Sequence, residues 1–217
     1  MKETVKTSRT AGYLEKIFRV LNAHYFDGEL EEPVITIQST PRAYGHVTVA
    51  KSWSRADGEK RHELNIGAGT LDRPIENVVS TLLHECCHLY NLQRGIQDCS
   101  RGGTYHNKRF KQTAESRDLI ISYDSRIGWS VTEPSDALIE FIISQGWEDI
   151  HMSRNDGYTA RGIGKGAGAS GGNTAPTVTP KPSSTRKLIC PCCGQSVRAT
   201  RAVNIICGDC FLPMVQV

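Results

Sequence analysis

Two histidines four residues apart, with a glutamate directly after the first, stand in Leu82-Leu83-His84-Glu85-Cys86-Cys87-His88-Leu89-Tyr90. On an α-helix four residues turn through about 400°, so His84 and His88 emerge about 40° apart, one turn above the other. At that spacing two imidazole nitrogens can close on one metal ion. Glu85 lies about 60° round from His88, too far to be a natural ligand but able to reach a water beside the ion. Two neutral nitrogen ligands and a carboxylate base make the H-E-x-x-H arrangement of zinc-assisted peptide hydrolysis.

Such a motif needs a helix, and the flanking residues predict one over about 74–93. Asp72 is placed to cap its start, with Pro74 in the first turn, where a missing N–H is harmless. Ile75, Val78, Val79, Leu82, Leu83, Cys86 and Tyr90 recur at spacings of three and four and form an apolar face for the core. His84, Glu85 and His88 fall largely off that face.

A catalytic zinc takes a third protein ligand and keeps one position open. His106 is the best candidate, in Gly102-Gly103-Thr104-Tyr105-His106-Asn107-Lys108-Arg109-Phe110-Lys111. The two glycines let the chain turn back from the first helix, and Asn107 can cap a second one. Phe110, Ala114 and Ile121 are expected to form the buried stripe of that second helix. His24, His62 and His151 read as ordinary surface or core residues. His46, in the strand-like Tyr44-Gly45-His46-Val47-Thr48-Val49, is less settled, because a neighbouring strand can line the cleft.

From about Tyr13 to Lys111 the chain resembles the SprT-like metalloprotease family. An early amphipathic helix carries Tyr25-Phe26-Asp27-Gly28-Glu29-Leu30, and the strand Val34-Ile35-Thr36-Ile37 follows. Tyr44-Gly45, Trp53, the strand Glu63-Leu64-Asn65-Ile66 and the helix with His84-Glu85-x-x-His88 come next. Gly103-x-x-His106-x-x-x-Phe110-Lys111 closes the match, at the place where that family has its third zinc ligand. Two departures are the long loop between His88 and His106 and the Cys86-Cys87 pair inside the motif; neither removes a ligand or the base.

The coarse order of elements predicts a helix over about 10–25, strands near 34–39, 44–50 and 62–67, the metal helix, and a helix from about 107. Ser135 can cap a further helix through Leu138, Phe141 and Ile142, ending at Gly146. Short strands close in sequence, flanked by helices, indicate an α+β domain: a small zincin-type metallopeptidase with the metal between sheet edge and ligand helices. The expected organisation is a metallopeptidase domain over 8–152, a flexible Gly/Ser/Thr/Pro linker over 153–186, and a zinc ribbon over 187–217.

No run of eighteen apolar residues and no apolar leader segment is visible, so an intracellular, cytoplasmic protein without a membrane contact is expected. In a reducing compartment the eight cysteines point to metal or free thiols more than to disulfides. The net charge of +3 conceals an asymmetry. Residues 1–150 hold 18 Lys+Arg against 21 Asp+Glu, net −3, and residues 151–217 hold 8 against 2, net +6. A basic tail of that kind commonly contacts nucleic acid.

The tail also holds a second metal motif. Cys190-Pro191-Cys192-Cys193-Gly194 and Cys207-Gly208-Asp209-Cys210 supply two C-x2-C pairs, Cys190 with Cys193 and Cys207 with Cys210. Four thiolates can surround a structural Zn2+, and so short a unit could hardly fold without it. A Cys190/Cys192 pairing stays open. Gly194 and Gly208 suit the tight turns, and Val197 to Ile206 are expected to form a hairpin between the pairs. Arg186, Lys187, Arg198 and Arg201 are available to grip phosphates. Cys86, Cys87 and Cys99 read as free thiols.

Three functions compete. The first is a zinc-dependent endopeptidase with Glu85 as general base and one catalytic and one structural zinc; the family resemblance implies substrates that are proteins bound or crosslinked to DNA. The second is a non-catalytic zinc protein with a DNA-binding or regulatory role, which would have no use for Glu85. A peptidase specific for one regulatory protein is the third.

Overall fold

The computed structural model describes residues 7–40, 43–154, 186–199 and 203–216. Most of the stretch expected to be a linker therefore lies outside the described residues, as does Arg201.

Helix α1 (Thr7–Tyr25) buries Leu14, Ile17, Phe18 and Leu21, one stripe at helical spacing. The chain then enters β1 (Val34–Gln38), β2 (Gly45–Val47), the small hairpin β3 (Trp53–Ser54) and β4 (Lys60–Arg61), and β5 (Glu63–Gly67). The first sheet runs in the order β1-β5-β2, with β1 parallel and β2 antiparallel to β5. Strand β2 is thus an edge.

Helix α2 (Ile75–Gln93) is buried along nearly its whole length, polar residues included. This exceeds the one-faced amphipathic helix expected from the sequence: α2 is the central helix of the fold and shares one core with α1, the sheet residues Ile35, Leu64 and Ile66, and Leu138 and Ile142 further on. Its N-terminus also differs from expectation. Pro74 is the cap residue and offers no side-chain cap, and the Ile75 N–H donates to Asp149 Oδ1 at 2.8 Å. The cap is supplied from the far end of the domain, and Asp72 does not provide it.

Strands β6 (Cys99–Ser100) and β7 (Tyr105–His106) lead into α3 (Lys108–Glu115), capped by the Asn107 side chain as expected. The helix is shorter than its expected stripe. It buries Phe110 and Ala114, but Ile121 belongs to β8 (Leu119–Asp124), which returns as β9 (Gly128–Pro134). That hairpin completes a second sheet in the order β6-β7-β9-β8. Helix α4 (Asp136–Ser144) follows, with Ser135 accepting from the Leu138 N–H at 3.2 Å. Among the described residues no helix is long and apolar enough to cross a membrane.

The C-terminal unit has a three-stranded sheet in the order β11-β10-β12, from β10 (Arg186–Ile189), β11 (Ser196–Ala199) and β12 (Val215–Gln216). Each cysteine pair sits inside its own hairpin: β10 and β11 flank the first pair, and the Ile206–Pro213 bridge flanks the second. Residues 200–202, the middle of the single hairpin expected between the pairs, lie outside the described residues. Arg198 of β11 reaches the other domain, with Nη1 3.2 Å from Glu76 Oε2 and Nη2 2.8 Å from Asp149 Oδ2. It is therefore engaged within the molecule and not held out for phosphates.

Candidate metal centre

Helix α2 presents His84 and His88, and β7 brings His106 to them. The Nε2 atoms are 3.2 Å apart for His84–His88, 3.3 Å for His84–His106 and 3.0 Å for His88–His106. Nitrogens bound tetrahedrally to zinc at about 2.0–2.1 Å lie about 3.3–3.4 Å from one another, so the triangle is close to the size the ion requires. These three residues form one group that could hold a metal ion.

The far sides of two rings fix which nitrogen points inward. The Thr132 hydroxyl donates to the Ser130 carbonyl at 3.1 Å, so it must accept from His84 Nδ1–H at 2.7 Å. His88 Nδ1–H likewise donates to Asp98 Oδ2 at 2.7 Å, and the Asn91 amide donates to the same oxygen at 3.0 Å. With the proton on Nδ1, each Nε2 turns a lone pair to the centre, as metal-binding imidazoles require. Three lone pairs so close repel one another unless a cation lies among them, and this donor set fits zinc.

Electrostatics favour the same state. Burial pushes His84 well below the ordinary histidine value, with His88 and His106 adding to the effect. Burial also lowers His106, to about 4, with the charge of His88 next in importance. Asp98 feels burial as a raising influence, but its hydrogen bond and charge interaction with His88 prevail and it is lowered overall.

Phe110 is the packing centre beneath the ligands. It is fully buried, and its ring centroid lies 4.4 Å from those of both His84 and His88 and 4.8 Å from that of His106. One side chain of α3 thus sets the tilt of three imidazoles on two different elements.

Glu85 is 5% exposed, and burial raises its carboxyl to about 7, opposed by His88 and assisted by Asp98. It lies directly against β2. A Cβ placed on Gly45 would be 3.1 Å from Glu85 Oε1, and 2.7 Å from the Asn65 carbonyl oxygen. The missing side chain at Gly45 lets the edge strand run past the carboxylate.

The remaining histidines stand apart from this cluster. His24 stacks on Phe141 with centroids 4.1 Å apart, His62 Nδ1 lies 2.9 Å from the Thr48 carbonyl oxygen, and His46 and His151 are exposed. Cys86 and Cys87 are fully buried, and burial raises both thiols, Cys87 to about 12, so neither is a ready thiolate. Sequence reasoning missed Asp98 and Thr132. Asp98 had a signal, an acid in the loop just after the second histidine, whereas Thr132 had none because its strand was not foreseen.

In the C-terminal unit, the sulfurs of Cys190, Cys193, Cys207 and Cys210 all lie within 4.8 Å of one another. Cys193 and Cys207 are 3.6 Å apart, near the ~3.8 Å of thiolates sharing a tetrahedral zinc. Cys193, and not Cys192, belongs to this group of four. The two turns match: Gly194 N–H donates to the Cys190 carbonyl at 3.0 Å, and Phe211 N–H to the Cys207 carbonyl at 2.8 Å. Both residues have positive φ, 73° at Gly194 and 55° at Phe211. The second turn therefore places its left-handed residue at Phe211, not at Gly208. The backbone N–H of Cys193, the largest influence, lowers the Cys190 thiol to about 7 against the raising effect of burial, with the Cys192 N–H adding to it, which favours a thiolate.

Fold and site together define an α+β domain with a three-histidine centre and a buried glutamate, followed by a four-cysteine cluster compatible with a zinc ribbon. Residues 14–120 match the model of the SprT-like family. The chain carries a SprT-like domain, and all three histidines and Glu85 fall inside the matched stretch. Neither a search of curated proteins nor a search of solved structures gives a match.

Proposed function

We propose that the protein is a zinc-dependent endopeptidase acting on DNA-associated proteins, with a structural zinc in its C-terminal ribbon. The observation that carries this reading is the position of Glu85, adjacent to three converging imidazole nitrogens and beside an edge strand. His84, His88 and His106 would hold the catalytic ion, and Cys190, Cys193, Cys207 and Cys210 the structural one. When bound, the catalytic zinc supplies a Lewis acid that polarises the scissile carbonyl and acidifies water.

The chain's own residues do the rest. Strand β2 offers unpaired backbone groups along which an extended peptide can align, and Gly45 keeps that path clear beside Glu85. Glu85 takes a proton from the attacking water and returns it to the departing amine. Burial raises the proton affinity of this carboxyl, the direction that suits a group which must take a proton and return it. A site that only stored zinc would gain nothing from burying this carboxylate, and that favours catalysis over the non-catalytic reading.

Support for DNA-associated substrates comes from the +6 balance of residues 151–217. The test is incubation with a DNA-binding protein, alone and with single- or double-stranded DNA. Cleavage that rises when DNA holds enzyme and substrate together supports the reading. Equal cleavage with and without DNA, at substrate concentrations far below saturation, points to a peptidase selected for one protein partner.

A further inference from the structure

Arg73 stands two residues before α2 and touches three elements at once. Its Nε donates at 2.7 Å to the Thr70 carbonyl, in the turn Ala68–Thr70 that follows β5. Its Nη2 donates at 3.0 Å to Thr81 Oγ1 on α2, whose own proton goes to the Asn77 carbonyl at 3.0 Å. The guanidinium carbon lies 4.1 Å from the ring centroid of Tyr44, the residue before β2. The contacts close into a circuit: Thr70 Oγ1 donates to the Gly67 carbonyl at 3.0 Å, and the Gly67 N–H donates to the Tyr44 carbonyl at 2.7 Å.

This cation does not serve to neutralise an acid. No carboxylate lies within ion-pair distance of Arg73 among the described residues. Burial draws the guanidinium down to about 10, against Tyr44 and Asp72, so it remains charged at neutral pH. Burying a charge without a counterion is unfavourable unless its geometry is used. Here the guanidinium offers a flat face to the Tyr44 ring and edge N–H groups to two acceptors, a combination that lysine lacks.

Both anchors lead back to the base. Thr81 precedes Glu85 by four residues and so lies about one turn, ~5.4 Å, from it along the same face of α2. Tyr44 precedes Gly45, where a Cβ would stand 3.1 Å from Glu85 Oε1. Strand β2 has three residues and pairs, among the described residues, with β5 alone, so its ladder holds it loosely. We infer that Arg73 is a positioning residue: it clasps the start of β2 to the metal helix and thereby sets the gap between Glu85 and a peptide aligned on that strand. The catalytic consequence rests on the peptidase reading; the clasp itself does not.

The experiment compares the zinc-loaded full chain with Arg73→Gln, Arg73→Lys, Tyr44→Leu and Tyr44→Phe by hydrogen exchange and by peptide cleavage. In Arg73→Gln and Tyr44→Leu the amides of residues 44–47 should exchange about tenfold faster, the scale of one released cation–π contact. Exchange over residues 78–90 and the zinc content should stay as in the wild type. Cleavage should fall on the order of 10- to 100-fold, in kcat more than in KM, because a misaligned peptide still binds. Arg73→Lys keeps the charge without the plane and should fall between, whereas Tyr44→Phe keeps the ring and should return both readouts to wild-type values. The double variant Arg73→Gln/Tyr44→Leu should be no worse than Arg73→Gln, since the two changes break one contact. Tyr44 is 37% exposed, so Tyr44→Leu carries the test even where Arg73→Gln does not fold. Wild-type exchange over residues 44–47 in Tyr44→Leu would overturn the clasp. A rate loss that only tracks lost zinc or lost folded protein, or faster exchange with unchanged cleavage, would overturn the positioning role. A wild type without cleavage would sink the peptidase reading, while the exchange rates still decide the clasp.

Discussion

Arg198, in the C-terminal unit, places its guanidinium 3.2 Å from the carboxylate of Glu76, a residue 2% exposed in the first turn of the helix that carries His84 and His88. The same guanidinium holds Asp149, which caps that helix through the Ile75 N–H. Ribbon and metal helix are thereby joined at a buried ion pair, well over a hundred residues apart in sequence.

Arg198→Met should therefore destabilise the N-terminal domain, because Glu76 and Asp149 would each lose a charged contact. Breaking a charged hydrogen bond at such a site costs about 2 kcal/mol. Thermal unfolding of the full chain measures it, and Arg198→Lys should recover part of the loss. An unchanged unfolding temperature for Arg198→Met would show that the contact contributes nothing.

Asp98→Asn should weaken zinc at the histidine site by roughly 10- to 100-fold, the usual effect of removing the carboxylate behind a ligating imidazole. Thr132→Val should weaken it less, since it removes a neutral acceptor. Chelator competition reads both. Equal zinc affinity in wild type and Asp98→Asn would mean that His88 needs no such partner.

His106→Ala should release the histidine-site zinc and keep the one held by the cysteines. From the ligand counts, elemental analysis should go from about two zincs per chain to about one. Full occupancy in the variant would remove His106 from the site.

The convergence of His84 and His88 was legible because helical spacing is a local property. Four residues separate His84 from His88, and any helix there brings them together. His106 was legible from its local setting, two glycines before it and Asn107 to cap the helix after it. What could not be read depends on pairings made at a distance. Ile121 suits a helical stripe with Phe110 and Ala114 and becomes a strand residue only because β8 pairs with β9. Thr132 therefore had no visible address opposite His84. Asp72 and Asp149 can each cap α2, and the choice is made by where the chain after α4 packs. Phe211 adopts the left-handed turn because its place after the second cysteine pair repeats that of Gly194.

Gly45→Ala should lower cleavage while retaining both zincs. The new methyl would stand 2.7 Å from the Asn65 carbonyl oxygen and 3.1 Å from Glu85 Oε1, so β2 or the base must move. A displacement of about 1 Å can cost on the order of 10²-fold in rate. Wild-type activity would show that β2 does not position the substrate or the base.

The most direct test of the peptidase account is the cleavage rate of Glu85→Gln under conditions where its zinc content is measured in the same sample. Glutamine keeps the size of the side chain and removes its ability to take a proton. The account predicts about two zincs per chain, from the ligand counts, an unaltered fold, and a rate lowered by at least roughly 10²-fold. Wild-type cleavage by a fully zinc-loaded Glu85→Gln variant would contradict it.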